Sequence, residues 1–436
     1  MQYIPNIVFV AALAVAIYFF SKNAGRIKRN INLGRDVNRT DKKPERWQTM
    51  LRVAFGQSKM QARPVAGALH FIVYAGFLLI NIEVLEILID GIFGTHRAFA
   101  APLGGLYTTA INFFEILAVL VILACVAFLW RRNVAKLPRF HKPEMKGWAF
   151  KDANNILYIE IALMSALLIM NAAEANFANS NAQFLISSLI APLFSGFEQS
   201  TLHFIERFFW WIHILGIFAF LNYLPFSKHF HIMLAFPNTW FSNLDAKGRF
   251  ANMASVTSEV KLMLDPTADP YAAPAQNTST DTPQRFGAKD VQDLNWVNIM
   301  NAYSCTECGR CTSECPANIT GKKLSPRKIM MDVRDRADEI GAIIDANNGT
   351  FVDDGKSLLN DYITPEELWA CTSCNACVQA CPINIDPLEI IVQMRQYLVM
   401  EESAAPQELN IMMTNVENNG APWQFGQMDR ANWINE

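Results

Sequence analysis

Cys305-Thr306-Glu307-Cys308-Gly309-Arg310-Cys311-Thr312-Ser313-Glu314-Cys315-Pro316 and Cys371-Thr372-Ser373-Cys374-Asn375-Ala376-Cys377-Val378-Gln379-Ala380-Cys381-Pro382 repeat one spacing, Cys-x-x-Cys-x-x-Cys-x-x-x-Cys-Pro. Three thiolates within seven residues wrap three corners of a cube, and the proline turns the chain after a more distant fourth. In paired runs of this kind the fourth Cys of each ligates the other [4Fe–4S] cluster. The spacing therefore predicts one cluster on Cys305, Cys308, Cys311 and Cys381, and a second on Cys371, Cys374, Cys377 and Cys315. Disulfides or zinc are the competing uses of thiols, and two identical spacings with no nearby His fit neither. The ninth cysteine, Cys125, lies in an apolar run and reads as a small buried hydrophobe.

Around the runs the pattern is helical. Trp296, Ile299 and Met300 form an apolar face before the first Cys. Ser325-Pro326 opens a helix continuing through Ile329, Met330, Val333 and Ile340. Pro365–Trp369 and a helix opening at Asp386-Pro387 bracket the second run. Residues 291–400 thus read as an α-helical cluster domain. Residues 236–290, polar and proline-rich at 265–281, read as a flexible tether. Residues 401–436 form a C-terminal tail.

The first half has a different composition, rich in Phe, Leu, Ile and Ala. Apolar stretches at about 3–20, 65–90, 105–130, 153–173 and 203–226 read as five membrane spans within residues 1–235. The first reads as a retained anchor rather than a cleaved signal. The patch from Phe184 to Phe194 is too short to span and reads as interfacial. The fold class expected is all-α: a five-helix transmembrane bundle followed by a helical cluster domain. Basic residues crowd the segments after the first span (Lys22 to Arg46) and the third (Arg131 to Lys146). Only Arg97 follows the second. The positive-inside rule puts the N-terminus outside and the cluster domain in the cytoplasm, at the inner membrane. Thiolate-held clusters suit that reducing side. A net charge of -3 gives no nucleic-acid signal.

All seven His precede residue 232. His70 lies near the cytoplasmic end of the second span, His213 within the fifth, and His231 just after it. Eighteen residues separate His213 from His231; if the helix runs on through Pro225 they share a face about 27 Å apart. Neutral imidazoles on facing helices are axial ligands for a b-type haem. His96, His141 and His229 read as interfacial or solvated. Glu83, Glu86, Glu115, Glu160 and Glu206 could relay protons at a quinone pocket, or serve as caps and loop contacts.

Leu224-Pro225-Phe226-Ser227-Lys228-His229-Phe230-His231-Ile232, with His213 upstream and His70 in the second span, resembles the cytochrome b subunit family of respiratory nitrate reductase. The resemblance implies that His70 and His231 hold a proximal haem and that His213 holds a distal one. Ile80 stands where that family has a second His in the second span, which leaves His203 as the remaining candidate. The cysteine half resembles the helical ferredoxin modules of succinate dehydrogenase iron–sulfur subunits and heterodisulfide reductases. Its ending, Asn418 to Trp433, resembles the heterodisulfide reductase D-type chain as it enters a Cys-Cys-Gly domain, which implies docking of a partner that carries that domain.

The combined expectation is a membrane-bound electron-transfer subunit linking a cytoplasmic redox partner to the quinone pool, menaquinone above all, through two [4Fe–4S] clusters and haem b. The cytoplasmic partner would be a Cys-Cys-Gly subunit or an electron-transfer flavoprotein. The alternatives are a subunit of a heterodisulfide-reductase-like enzyme and a redox sensor or anchor without turnover. No inverted repeat or broken-helix pair supports a transporter.

Overall fold

The computed structural model describes residues 3–178, 183–267 and 285–435. Within them the chain is helical and without strands, five long apolar helices preceding a region of shorter ones. The five are Ile4–Ile31, Pro64–Phe93, Gly105–Asn133, Trp148–Glu174 and Gln199–Phe226, each long and apolar enough to cross a membrane. Their outward faces carry exposed side chains such as Ile7, Tyr18, Leu106, Leu123 and Phe204. Apolar exposure on this scale is at home in lipid rather than water. The inward faces close over Ala118, Cys125, Leu167 and Ile214, all nearly or fully buried. Cys125 sits in that core, at 0% exposure.

The first helix outlasts its apolar stretch. It continues through Lys22, Arg26, Lys28 and Arg29 to Ile31, so these cations stand on a helical extension and not in a loop. That extension reaches the cysteine region. Asn30 Nδ2 donates to Tyr303 Oη (2.9 Å), and Arg29 Nη2 donates to the Gly341 carbonyl (2.9 Å). Arg35 exchanges backbone hydrogen bonds with Leu294 and Trp296 and pairs with Asp293 at 2.8 Å. Arg39 pairs with Glu389 at 3.1 Å. From the loop after the third helix, Glu144 meets the fully buried Arg327 at 2.7 Å. Both basic segments therefore lie against the cysteine region, and cations of the first pair with its carboxylates. Buried pairs of this kind add little net stability, because desolvation offsets the attraction, but an unpaired member is costly, so they fix one docking geometry.

The fifth helix does not run on to His231. It ends at Tyr223, tightens through Leu224–Phe226, and breaks at Ser227, whose backbone is extended (φ −123, ψ 147). Asp152 captures this break: its carboxylate accepts from Tyr223 Oη (2.5 Å), Ser227 Oγ (2.7 Å) and the Lys228 amide (3.1 Å). A new helix, His231–Trp240, then leaves in another direction. The shared-face argument for His213 and His231 is corrected accordingly: the helix that carries His213 ends at Tyr223 and the chain is extended at Ser227, so no five continuous helical turns join them.

The stretch read as a tether is ordered at both described ends. Asn238 is fully buried, donates to the Ile383 carbonyl (2.7 Å) and accepts from Asn301 (3.0 Å). A further helix covers Ala254–Leu264. Asp290 accepts from the fully buried Arg336 at 2.9 Å. Most of the Pro-rich run lies outside the described residues. The helices expected around the cysteines appear as Trp296–Ser304, Pro326–Ala346, Pro365–Trp369 and Pro387–Met400. Ser325, Thr364 and Asp386 cap three of them through their side chains. The tail forms Gln407–Asn419 and a final turn, with Phe425, Met428 and Trp433 exposed.

Candidate functional site

The two cysteine runs fold alike. Each begins at the end of a helix, passes through a loop with two left-handed residues, and enters a short helix, Arg310–Glu314 or Ala376–Ala380. The left-handed pairs fall at matching places: Glu307 (φ +53) and Gly309 (φ +71) in the first loop, Ser373 (φ +56) and Asn375 (φ +60) in the second. This winding turns backbone amides inward. The Glu307 amide donates to Cys305 Sγ and the Ser373 amide to Cys371 Sγ, both at 3.4 Å, and the Ile385 amide donates to Cys381 Sγ at 3.3 Å. Hydrogen bonds to thiolate sulfur are among the levers that set cluster potential.

The short helices pack together, and this crosses the fourth cysteines over. One cavity is lined by Cys305, Cys308, Cys311, Cys381 and Cys377, with Pro382 and Ile383 beside them. Cys371 interacts with Cys315 and Cys374, and Cys377 with Cys371 and Cys315. Burial pushes the Cys305 thiol up to about 12 and Cys381 up to about 11. Thiols so placed are protonated at neutral pH until a cation draws the proton off. The donor set, four sulfurs around an enclosed space with amides aimed at them, fits iron–sulfur clusters.

The histidines divide by their hydrogen bonds. His70 and His231 face each other with ring centroids 6.4 Å apart. At this separation His70 and His231 would be the residues to hold a haem iron between them. In three of the histidines Nδ1 donates: His70 to Gln57 Oε1 (3.1 Å), His231 to the Lys228 carbonyl (3.0 Å), His213 to the Leu163 carbonyl (2.9 Å). That sets the tautomer and leaves Nε2 with a lone pair, the usual state of a ligand histidine. Burial also holds the His231 pKa below its ordinary value. His203 instead lies tilted against Phe177, ring centroids 4.0 Å apart. His96 pairs with Glu174, and His141 donates to the Arg132 carbonyl. His229 lies 5.4 Å from His231, ring to ring, with a buried Nε2 that has no partner.

Three features escaped the sequence reading. The first is a salt bridge joining the two candidate centres. Lys228, whose carbonyl orients His231, donates through Nζ to Glu307, whose amide donates to Cys305 Sγ. Arg334 pairs with the same carboxylate at 2.7 Å, and the Lys228 and Glu307 side chains are 7% and 2% exposed. Burial raises the Glu307 pKa, and the two cations more than offset this, leaving it below the ordinary value. The second is Arg97, which gathers the carboxylates at the other end of the bundle. It reaches Glu83 (3.3 Å), Glu174 (2.8 Å) and Asn171 (2.7 Å). Glu115 accepts from Asn171 and from the Ile186 amide, and Glu86 from Tyr107 and the Phe99 amide. Glu83, Glu86 and Glu115 thus hold the outer loops together. The third is Gln57, the partner of His70.

Residues 304–385 match the model of the 4Fe-4S dicluster domain. The chain is 27% identical over 99% of its length to the probable iron-sulfur-binding oxidoreductase FadF of Bacillus subtilis (strain 168). It is 26% identical over 92% of its length to the EtfAB:quinone oxidoreductase of Syntrophomonas wolfei. Over 33% of its length it is 26% identical to a polypeptide of the dihydromethanophenazine:CoB–CoM heterodisulfide reductase of Methanosarcina mazei, and it covers 36% of that relative. The chain spans 61% and 55% of the lengths of the first two relatives. No solved structure matches it.

Proposed function

We propose that the chain is a membrane-bound electron-transfer subunit that connects a cytoplasmic redox partner with the quinone pool. The observation that carries this is the juxtaposition of both crossed thiol sets with a facing histidine pair on one side of five apolar helices. Cys305, Cys308, Cys311 and Cys381 hold one [4Fe–4S] cluster; Cys371, Cys374, Cys377 and Cys315 hold the other. His70 and His231 hold a haem b, and His213 belongs to a second. These groups, when bound, supply one-electron chemistry; the chain supplies ligands, burial and spacing. Gln57, Lys228 and Leu163 orient the imidazoles. The Glu307, Ser373 and Ile385 amides stabilise the thiolates.

The basic segments face the cytoplasm by the positive-inside rule. The cysteine region, packed on both, shares that side of the inner membrane. The relative from Syntrophomonas wolfei, named for EtfAB and quinone, supports quinone as the membrane substrate and an electron-transfer flavoprotein as the partner. The heterodisulfide reductase relative supports a second reading, in which the chain is a subunit of a heterodisulfide-reductase-like enzyme. Anaerobic reduction of the purified protein with a menaquinol analogue tests the proposal. Reduction of haem and cluster spectra within minutes is expected; unchanged spectra refute it.

A further inference from the structure

A cavity of about 600 Å³ opens where the spans meet the cysteine region. Four cations line it: Arg63, Arg131, Arg139 and Lys142. Arg63 precedes the second span and Arg131 lies in the last turn of the third, so the cavity sits at the membrane boundary on the basic side. Its apolar wall includes Val65 and Ile319, 60% and 68% exposed. Next to it Trp130 and Val134 face outward, 58% and 65% exposed. The lining thus combines cations with exposed apolar side chains.

The cations are under-compensated. Among the described residues Arg131 and Lys142 have no acidic partner. Arg63 pairs only with the half-exposed Glu314. Arg139 has a buried Nε without a hydrogen bond, its guanidinium lying over Phe140 at 4.7 Å. Burial and the neighbouring Arg63, Arg310 and Arg131 bring the Arg139 pKa down to about 10, although Cys308 opposes them. Counter-charge for the adjacent cluster is already supplied from other directions. Arg310 lies beside Cys308, and Lys59 donates to the Cys381 carbonyl at 3.1 Å. Arg131 and Lys142 are left for another anion.

We propose that this cavity binds the phosphate of an anionic membrane lipid, with its acyl chain running out past Val65 along the spans. Basic pockets at the cytoplasmic ends of helices are suited to such headgroups. The opposite wall is Thr312, Ser313 and Asn318, so the lipid bridges the bundle and the first cysteine run. The inference goes beyond electron transfer and requires only that the bundle lie in a membrane. Free phosphate shares the chemistry but gives no use to the apolar wall.

Native mass spectrometry of the detergent-purified full chain separates these, with phosphatidylglycerol, phosphatidylcholine of the same acyl chains, and inorganic phosphate as probes. The wild type should retain one phosphatidylglycerol in preference to phosphatidylcholine. Arg131→Gln/Arg139→Gln/Lys142→Gln should weaken retention by about a hundredfold, at about one surface-cation contribution each. Arg131→Lys/Arg139→Lys and the distant Lys22→Gln/Lys43→Gln should keep it. Equal retention by the glutamine variant overturns the proposal, as does equal binding of phosphatidylcholine. Displacement by inorganic phosphate at equal concentration overturns the lipid assignment. If the triple variant does not fold, salt decides on the wild type: retention falling with ionic strength upholds the site, and insensitivity overturns it.

Discussion

Replacing Glu307 by Gln should raise the midpoint potential of the cluster assigned to Cys305, Cys308, Cys311 and Cys381 while leaving the other nearly unchanged. Glu307 lies two residues from Cys305, and its carboxylate is held by Lys228 and Arg334 in a site 2% exposed. A unit charge about 7 Å from the cluster, at an effective dielectric near 20, contributes about 2 kcal/mol. For a one-electron couple that is roughly 85 mV. The negative charge opposes reduction, so its loss shifts the potential upward. Lys228→Met should shift the same cluster downward, because a neighbouring positive charge is lost. Glu307→Gln leaves the buried Lys228 without its carboxylate, at a cost of about 3–5 kcal/mol in stability, whereas Lys228→Met leaves Glu307 still paired with Arg334. The double variant Lys228→Met/Glu307→Gln should recover part of that and return the potential toward wild type. Potentiometric titration followed by EPR measures both clusters in each variant. Shifts of the same sign in the two single variants, or no shift in either, would refute the electrostatic argument.

Cys381→Ser should impair the cluster assigned to Cys305, and Cys315→Ser the one assigned to Cys371; EPR of each variant reports this, and loss of the nearer cluster instead would refute the crossing. His70→Ala and His231→Ala should each abolish the same haem signal in optical spectra with iron–sulfur EPR intact, whereas His229→Ala, whose ring nitrogen Nε2 has no partner, should retain it. Cluster reconstitution into the apo-protein should become more favourable with rising pH. The cysteine thiols, pushed up to about 12 for Cys305 and about 11 for Cys381, must lose protons on binding. Iron uptake followed at pH 6.5, 7.5 and 8.5 checks the sign, and a fall with pH would contradict it.

What could be read without coordinates was local or periodic. The cysteine spacing is local, and the two runs that carry it wind into loops with left-handed residues at matching places. Hydropathy is periodic, and it located the five long helices to within a few residues of their apolar parts. Caps at Ser325, Thr364 and Asp386 were equally legible, since a cap is settled by neighbours in sequence. The facing of His70 and His231 came from resemblance, not from any pattern a helix imposes. What failed depends on distant partners. Pro225 alone did not settle where the fifth helix ends; Asp152, from the start of the fourth, does. The bond between Lys228 and Glu307 joins residues 79 apart, and neither is unusual in its own segment. Arg97 looked like a lone loop cation, yet it organises carboxylates from two spans. The cations after the first span were read as topology signals, and many also dock the cysteine region. Both roles place them on one side of the bundle, which is why one expectation served for two causes.

The account stands or falls on whether the thiol sets and the histidine pair hold their metals in one polypeptide. Iron, acid-labile sulfide and haem should be counted on anaerobically isolated full-length protein, alongside an optical and EPR redox titration. The prediction is close to eight non-haem irons, counted as two cubes of four, with at least one b-type haem that loses its signal in His231→Ala. Protein that carries neither non-haem iron nor porphyrin would contradict the account.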